Sequence, residues 1–260
     1  MTLSRIAIAA AALAALPVVA SADILDTQFD SNGSASNFLD DGVISAGEYT
    51  GTFTNGGGDG FGGTLGGGTF FFDADDTDLH IGFTPGGDLG ANRVVLYFDT
   101  RQGGFTTSTM DDTGDASRYA ISTLGQNGTE LFPDDFSADY AVVFADYGQA
   151  SFELQGTGTP HNFLNFEDDQ SGSGSGTIEF SMSLADLGMP TNLEFFAALV
   201  SFDGFLSSES FPMSTALNSG GNPGFDGDAT FENTNLFVVP EPTSAALLVG
   251  LGVLGLRRRR

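Results

Sequence analysis

The amino-acid sequence predicts an all-β protein, a single antiparallel β-sandwich of jelly-roll-like character, flanked by an apolar leader and a short apolar C-terminal helix. Three observations carry this. Short runs of alternating apolar and polar residues recur through the middle of the chain, separated by clusters of Gly, Asp, Asn and Ser. The apolar residues in those runs are β-branched and aromatic, with 25 phenylalanines and no tryptophan in the chain. Helical periodicity is nearly absent from the same stretch.

Taken in order, the first strand is expected at Thr69–Phe72, where alternation places Phe70 and Phe72 on one face and Phe71 on the other. Leu79–Phe83 follows across an aspartate-rich turn. Arg93–Phe98 sets Val95 and Tyr97 against Val94, Leu96 and Phe98. Short apolar runs bounded by turn residues give Tyr119–Ser122, Ala141–Phe144 and Ser151–Leu154. Thr177–Ser183 runs into the one helical candidate, the single turn Leu184–Leu187, with Ser183 as N-cap and Gly188 as its stop. Phe195–Phe202 and Ala229–Phe237 complete the set. No charge block or proline-rich linker divides this stretch, so residues 23–238 read as one domain, long enough for a sizeable core.

Charge narrows the function. The chain has 34 acids against 8 bases, a formal net charge of −26, and every base is an arginine. Only Arg93, Arg101 and Arg118 lie between the two ends. Such a surface repels phosphate backbones and anionic headgroups, which excludes nucleic-acid binding. The absence of cysteine excludes disulfides, thiolate metal sites and a cysteine nucleophile.

The ends read as addresses. Arg5, the apolar stretch Ile6–Leu16, the helix breaker Pro17 and the small-x-small pattern Ala20-Ser21-Ala22 form a signal peptide over residues 1–22, cleaved before Asp23. The C-terminal 239–260 has three parts. Pro240, Glu241 and Pro242 hold an extended, unpaired joint. Ser244 to Leu256 is apolar and 13 residues long, ~20 Å as a helix and short of the ~30 Å hydrocarbon core. Arg257, Arg258, Arg259 and Arg260 follow and hold the end on the cytoplasmic side.

These three parts, in this order and with a signal peptide at the other end, resemble the PEP-CTERM sorting signal of Gram-negative bacteria. The resemblance implies recognition by an exosortase, cleavage near Pro240-Glu241-Pro242, transient insertion in the inner membrane, and a place at the cell surface or in the extracellular matrix of a biofilm. A second likeness covers the core. Leu39-Asp40-Asp41-Gly42-Val43-Ile44 through Glu48-Tyr49, then Asp75 to Phe83, Val94 to Asp99 and Thr177 to Gly188, look like extracellular sandwich domains similar to carbohydrate-binding module family nine and the DOMON-like group. That likeness implies the sandwich architecture; the absence of tryptophan departs from the stacking residues of the group's sugar binders.

Candidate sites are few. Asp73, Asp75, Asp76 and Asp78 fall within six residues, and Asp111, Asp112 and Asp115 within five, patterns that serve either calcium or solvated acidic turns. The first cluster lacks the glycine and glutamate of an EF-hand loop. Asn218 to Asp228 is a glycine-aspartate loop that occurs once and reads as a loop. Gly58-Asp59-Gly60-Phe61-Gly62-Gly63 fits G-x-G-x-x-G by letter, but it sits among nine glycines from Gly56 to Gly68, opens no helix and reads as a flexible loop. His80 and His161 lie in no nucleophile motif.

The expectation is therefore a structural or adhesive exported protein without enzymatic activity and with no cofactor unless calcium binds, associating with exopolysaccharide; exosortase and signal peptidase act on it during export. Two alternatives stay open. A carbohydrate-binding module needs exposed aromatics in a row, from Tyr97, Tyr119, Tyr140 or Tyr147. A glycoside hydrolase needs a cleft with two carboxyl groups ~5–9.5 Å apart.

Overall fold

The computed structural model describes residues 23–32, 35–56, 60–122, 130–167, 176–218 and 221–239. The signal peptide with Ala20 and Ala22, the joint Pro240-Glu241-Pro242, the apolar segment and Arg257 to Arg260 lie outside the described residues.

In chain order the first elements are β1 (Asp23–Phe29), β2 (Gly51–Thr54), β3 (Thr69–Ala74), β4 (Asp78–Thr84) and β5 (Arg93–Asp99). Helix α1 (Ala116–Ser122) leads to β6 (Glu130–Leu131), β7 (Tyr140–Ala145), β8 (Gly148–Glu153) and β9 (Asn162–Glu167). The last third holds β10 (Ile178–Ser183), β11 (Asn192–Val200), β12 (Leu206–Phe211), α2 (Thr215–Asn218), β13 (Ala229–Thr230) and β14 (Asn233–Val238).

Two sheets form the sandwich. The larger has the order β1-β14-β11-β5-β7-β8-β9, and β12 lies beyond β14 along the same side of β11. The smaller has the order β10-β4-β3-β2, and β6 with β13 makes a separate two-stranded ribbon. The named pairs are antiparallel except β1 with β14 and β6 with β13, which run parallel. The antiparallel sandwich expected from the alternating runs is thus present, with one parallel pair at an edge of the larger sheet.

Phenylalanine fills the space between the sheets. Phe53, Phe70, Phe72 and Phe83 of the smaller sheet meet Phe98, Phe144, Phe195, Phe211 and Phe237 of the larger. Ring centroids at 4.7 Å for Phe72–Phe195 and 5.0 Å for Phe53–Phe195 give tilted and edge-on contacts, the arrangements aromatic quadrupoles favour. A second core covers the outer face of the larger sheet. Val95, Tyr97, Val143, Phe152 and Phe196 pack there under Ile121 of α1, Leu217 of α2, and Phe132, Phe136 and Phe231. This layer explains why β5 is a near-continuous apolar run: both of its faces are buried.

Two expected strands differ. Tyr119–Ser122 is the second half of α1. Asp115 sits just before that helix and its Oδ1 accepts from the amides of Ser117 and Arg118 at 3.0 and 2.9 Å, an N-cap that overrides the short apolar run. Ala229–Phe237 is two strands, β13 and β14, separated at Phe231 and Glu232. The turn after Ser183 is present: Ser183 Oγ accepts from the Ala185 amide at 3.2 Å, and Gly188 takes φ +80°, the left-handed region that glycine enters without strain.

Candidate functional site

The sorting joint begins two residues after β14. β14 is paired on one side with β1, from Asp23↔Asn233 to Phe29↔Val238, and on the other with β11, from Asn192↔Val238 to Phe195↔Asn235. The Asp30 amide donates to the Val238 carbonyl at 3.0 Å, and the Val239 amide donates to the Thr191 carbonyl at 2.9 Å. Phe237 is fully buried and Val239 only 5% exposed, both in the inter-sheet core. Val239 is therefore a core residue, and Pro240 follows it with no spacer.

Much of the acidity works inside the protein. Glu209 of β12 is 1% exposed and takes four loop amides. Its Oε1 accepts from Phe61 and Gly63 at 2.8 and 3.1 Å, and its Oε2 from Leu65 and Gly66 at 2.7 and 3.1 Å. The glycine-rich segment is thus a cradle of backbone N–H groups, as in anion-binding loops, with the chain's own carboxylate as the anion. At Gly60 a Cβ would stand 2.1 Å from Ser207 Oγ, so only glycine fits against this strand. Sequence reasoning read this segment as a flexible loop. The one available signal was the density of glycines; nothing in the buried polar run Ser207-Ser208-Glu209-Ser210 points to its partner.

Glu179 of β10 does the same for the loop before β2. Its Oε2 accepts from the amides of Asp41, Gly42 and Val43 at 3.1, 2.6 and 3.2 Å, and its Oε1 from the Tyr49 hydroxyl at 2.8 Å. Glu48 holds the same loop by accepting from Leu39 at 2.8 Å and Ser45 at 2.6 Å. Asp139 takes the amides of Thr100 and Arg101, each at 3.0 Å.

The aspartates singled out from the sequence are dispersed. Asp73 is fully buried, with Oδ1 accepting from Thr50 Oγ1 at 2.9 Å. Asp75 closes its own turn by accepting from the amides of Thr77 and Asp78, and its Oδ2 lies 3.5 Å from His80 Nε2. Asp78 accepts from Thr77 Oγ1, and Asp76 is exposed. In the second group Asp111 is exposed, Asp112 pairs with Arg118 Nε at 3.0 Å and accepts from the His161 amide at 2.7 Å, and Asp115 caps α1 and pairs with Arg118. Among the described residues no three His, Asp or Glu side chains converge as metal ligands.

His161 lies 2.9 Å from Ser122 Oγ, the spacing of a nucleophile and its base. Its tautomer forbids that role. The Gln155 amide donates to Nδ1 at 3.1 Å, so Nε2 carries the proton and faces the hydroxyl as a donor. Burial also pushes its pKa down, which keeps the ring neutral. His80 is stacked on Phe38 with ring centroids 4.3 Å apart, and its Nδ1 lies 2.9 Å from Ser181 Oγ.

The tyrosines do not form an exposed row. Tyr97 and Tyr140 are core residues; the Tyr97 hydroxyl donates to the Ile121 carbonyl at 2.8 Å, and the Tyr140 hydroxyl accepts from Arg101 Nη1 at 3.1 Å. Tyr119 is half-buried on α1, and of the four only Tyr147, 41% exposed, is an exposed residue. Two phenylalanines that the sequence reading passed over are exposed instead. The β8–β9 register skips between Ser151↔Asn165 and Phe152↔Phe163, a bulge that turns Phe163 and Phe166 to the same outer face. They are 50% and 42% exposed.

One cleft, about 390 Å³, opens on the outer face beside the end of β14 and is walled by Asp99, Arg101, Asp135, Ser137 and Glu194. Burial, with Asp139 and Glu194 nearby, lifts the Asp99 pKa to about 6. Burial lifts Glu130 to about 7, with Asp228 adding repulsion, and lifts Glu167 to about 7 with Asp40 adding to it. A carboxyl raised in the fold contributes stability that is complete below its unfolded value, 4.5 for glutamate, and lost as pH rises through about 7. Urea denaturation should therefore show a more stable protein at pH 5 than at pH 7.5. Glu130 is 3% exposed, and among the described residues its Oε1 has no partner. Glu130→Gln should raise stability at pH 7.5 by on the order of 2 kcal/mol and have a much smaller effect at pH 5. Equal effects at both pH values would sink the assignment.

Among the described residues no helix is long and apolar enough to cross a membrane. Residues 238–260 match the model of the PEP-CTERM protein-sorting motif. No curated protein and no solved structure matches the chain. The chain thus carries the sorting motif that marks an exported, exosortase-processed protein, and the motif's first two matched residues, Val238 and Val239, are hydrogen-bonded into the sandwich.

Proposed function

We propose that this protein is a structural or adhesive component of the cell surface or extracellular matrix of a Gram-negative bacterium, associated with exopolysaccharide and without enzymatic activity. The observation that carries this reading is the sorting motif at 238–260 joined directly to a sandwich strand. Signal peptidase frees Asp23, the apolar segment holds the protein in the inner membrane, and exosortase acts at the Pro240-Glu241-Pro242 joint. Support for a non-enzymatic role comes from how the polar groups are used. Glu209, Glu179, Glu48 and Asp139 are engaged by loop amides, and in the Ser122–His161 pair the histidine has the wrong tautomer for a base. With a net charge of −26, contact with an acidic polysaccharide requires divalent cations between the two, whereas a neutral glycan can approach directly.

The exposed Phe163 and Phe166 favour a second reading, a carbohydrate-binding module whose stacking surface is edge strand β9.

Replacing Pro240, Glu241 and Pro242 together with alanine should leave a membrane-associated species that still carries Arg257 to Arg260, read by fractionation and intact mass. A host lacking exosortase should give the same species from the unaltered chain. Release to the matrix in either case would remove the sorting reading. The secreted mature protein then separates the two roles: cosedimentation with host polysaccharide that falls at least tenfold in Phe163→Ala/Phe166→Ala supports the module, and an unchanged level supports the structural role.

A further inference from the structure

The sandwich end from which β14 leaves is held against whatever grips the joint, for reasons of length alone. Val239 is buried and hydrogen-bonded to Thr191, so the length available to the joint is counted from Val239. From Val239 to Ser244, where the apolar stretch starts, is five residue steps, at most about 17 Å of extended chain. The larger sheet has seven strands on its main path, a width of roughly 29 Å at ~4.8 Å per neighbour. β14 lies one strand from the edge of that sheet, so a bound joint brings the membrane enzyme against the part of the end face around β14.

The same face carries a definite charge. The β3–β4 turn, the β10–β11 turn and the loop after β5 all lie at this end, because Asp78 pairs with Ser183, Glu194 with Asp99, and Asn192 with Val238. Asp76, Asp186 and Asp135 are exposed on it. Arg101, its one cation among the described residues, is already paired with Asp139 at 3.3 Å and Glu153 at 2.9 Å.

We propose that this acidic end face is a docking surface for a basic extracytoplasmic rim of the membrane-embedded sorting enzyme, so that recognition extends beyond the Pro-Glu-Pro joint onto the folded domain. The proposal rests on the sorting reading above. Its partner is the enzyme and not the bilayer, because anionic headgroups repel this face.

The test follows C-terminal processing of the full-length protein in its own host by pulse-chase. Asp76→Lys/Asp186→Lys should lengthen the processing half-time several-fold. The same number of reversals at the far end of the sandwich, Asp88→Lys/Asp146→Lys, should leave it unchanged. A flexible insert of about twelve Gly and Ser residues between Val239 and Pro240, added to the Asp76→Lys/Asp186→Lys chain, should relieve the repulsion and shorten the half-time again, though not to the normal value, since the docking contribution stays lost. That rescue also distinguishes docking from misfolding. Equal slowing at both ends, no slowing, or no rescue by the insert would overturn the proposal. Faster processing of the Asp76→Lys/Asp186→Lys chain would also overturn it, and would mean that repulsion from the bilayer had been limiting. Processing that continues in a host lacking exosortase overturns the sorting reading itself, and the docking face with it.

Discussion

Replacing Glu209 with alanine is expected to cost about 3–5 kcal/mol, a large share of the stability of an ordinary domain. The amides of Phe61, Gly63, Leu65 and Gly66 all point at this carboxylate, and the Leu65 and Gly66 bonds are buried. An amide left buried without a partner costs about 1–3 kcal/mol, so losing several at once exceeds what loop rearrangement recovers. Glu209→Gln keeps the shape but turns an NH2 group toward two of the donors, and should fall between alanine and the wild type. Urea denaturation of the mature protein reads both. A loss below about 1 kcal/mol for the alanine variant would mean that the cradle closes equally well on water.

Phe195→Ala should be comparably damaging, at about 3–5 kcal/mol. Phe195 is fully buried at the middle of the inter-sheet layer, with ring contacts to Phe53, Phe70, Phe72, Phe98 and Phe211. Rings from both sheets meet at this one side chain, so its removal leaves a cavity between two rigid surfaces that cannot close on it. Phe166→Ala, on the exposed edge, should change stability by less than about 0.5 kcal/mol. Similar losses at both positions would contradict the layered core.

The contrast between these residues shows what the sequence makes legible. Strands β3, β4, β5, β7 and β11 announce themselves because their apolar residues face a core, and alternation or an unbroken apolar run records that directly. β12 stays hidden because four of its six buried residues, Ser207, Ser208, Glu209 and Ser210, are polar, and Glu209 binds a loop distant in sequence. β9 stays hidden because its bulge breaks the alternation, and β1 because it is a partly exposed edge strand. α1 reads as a strand from its apolar run, since the decisive interaction is the Asp115 cap at the preceding position. The joint is legible as chemistry, but that Val238 and Val239 belong to the sandwich follows only from pairings with Asp30 and Thr191, more than 200 and nearly 50 residues away.

The parallel pairing of β1 with β14 has a mechanical meaning. The chain enters β1 at Asp23, beside Asn233, and leaves β14 at Val238, beside Phe29. Tension applied through the two ends therefore pulls the neighbouring strands past each other along their length. Every hydrogen bond of the pair is loaded together, and none can give way first as in a zipper. A sandwich pulled through its two ends meets that force in shear.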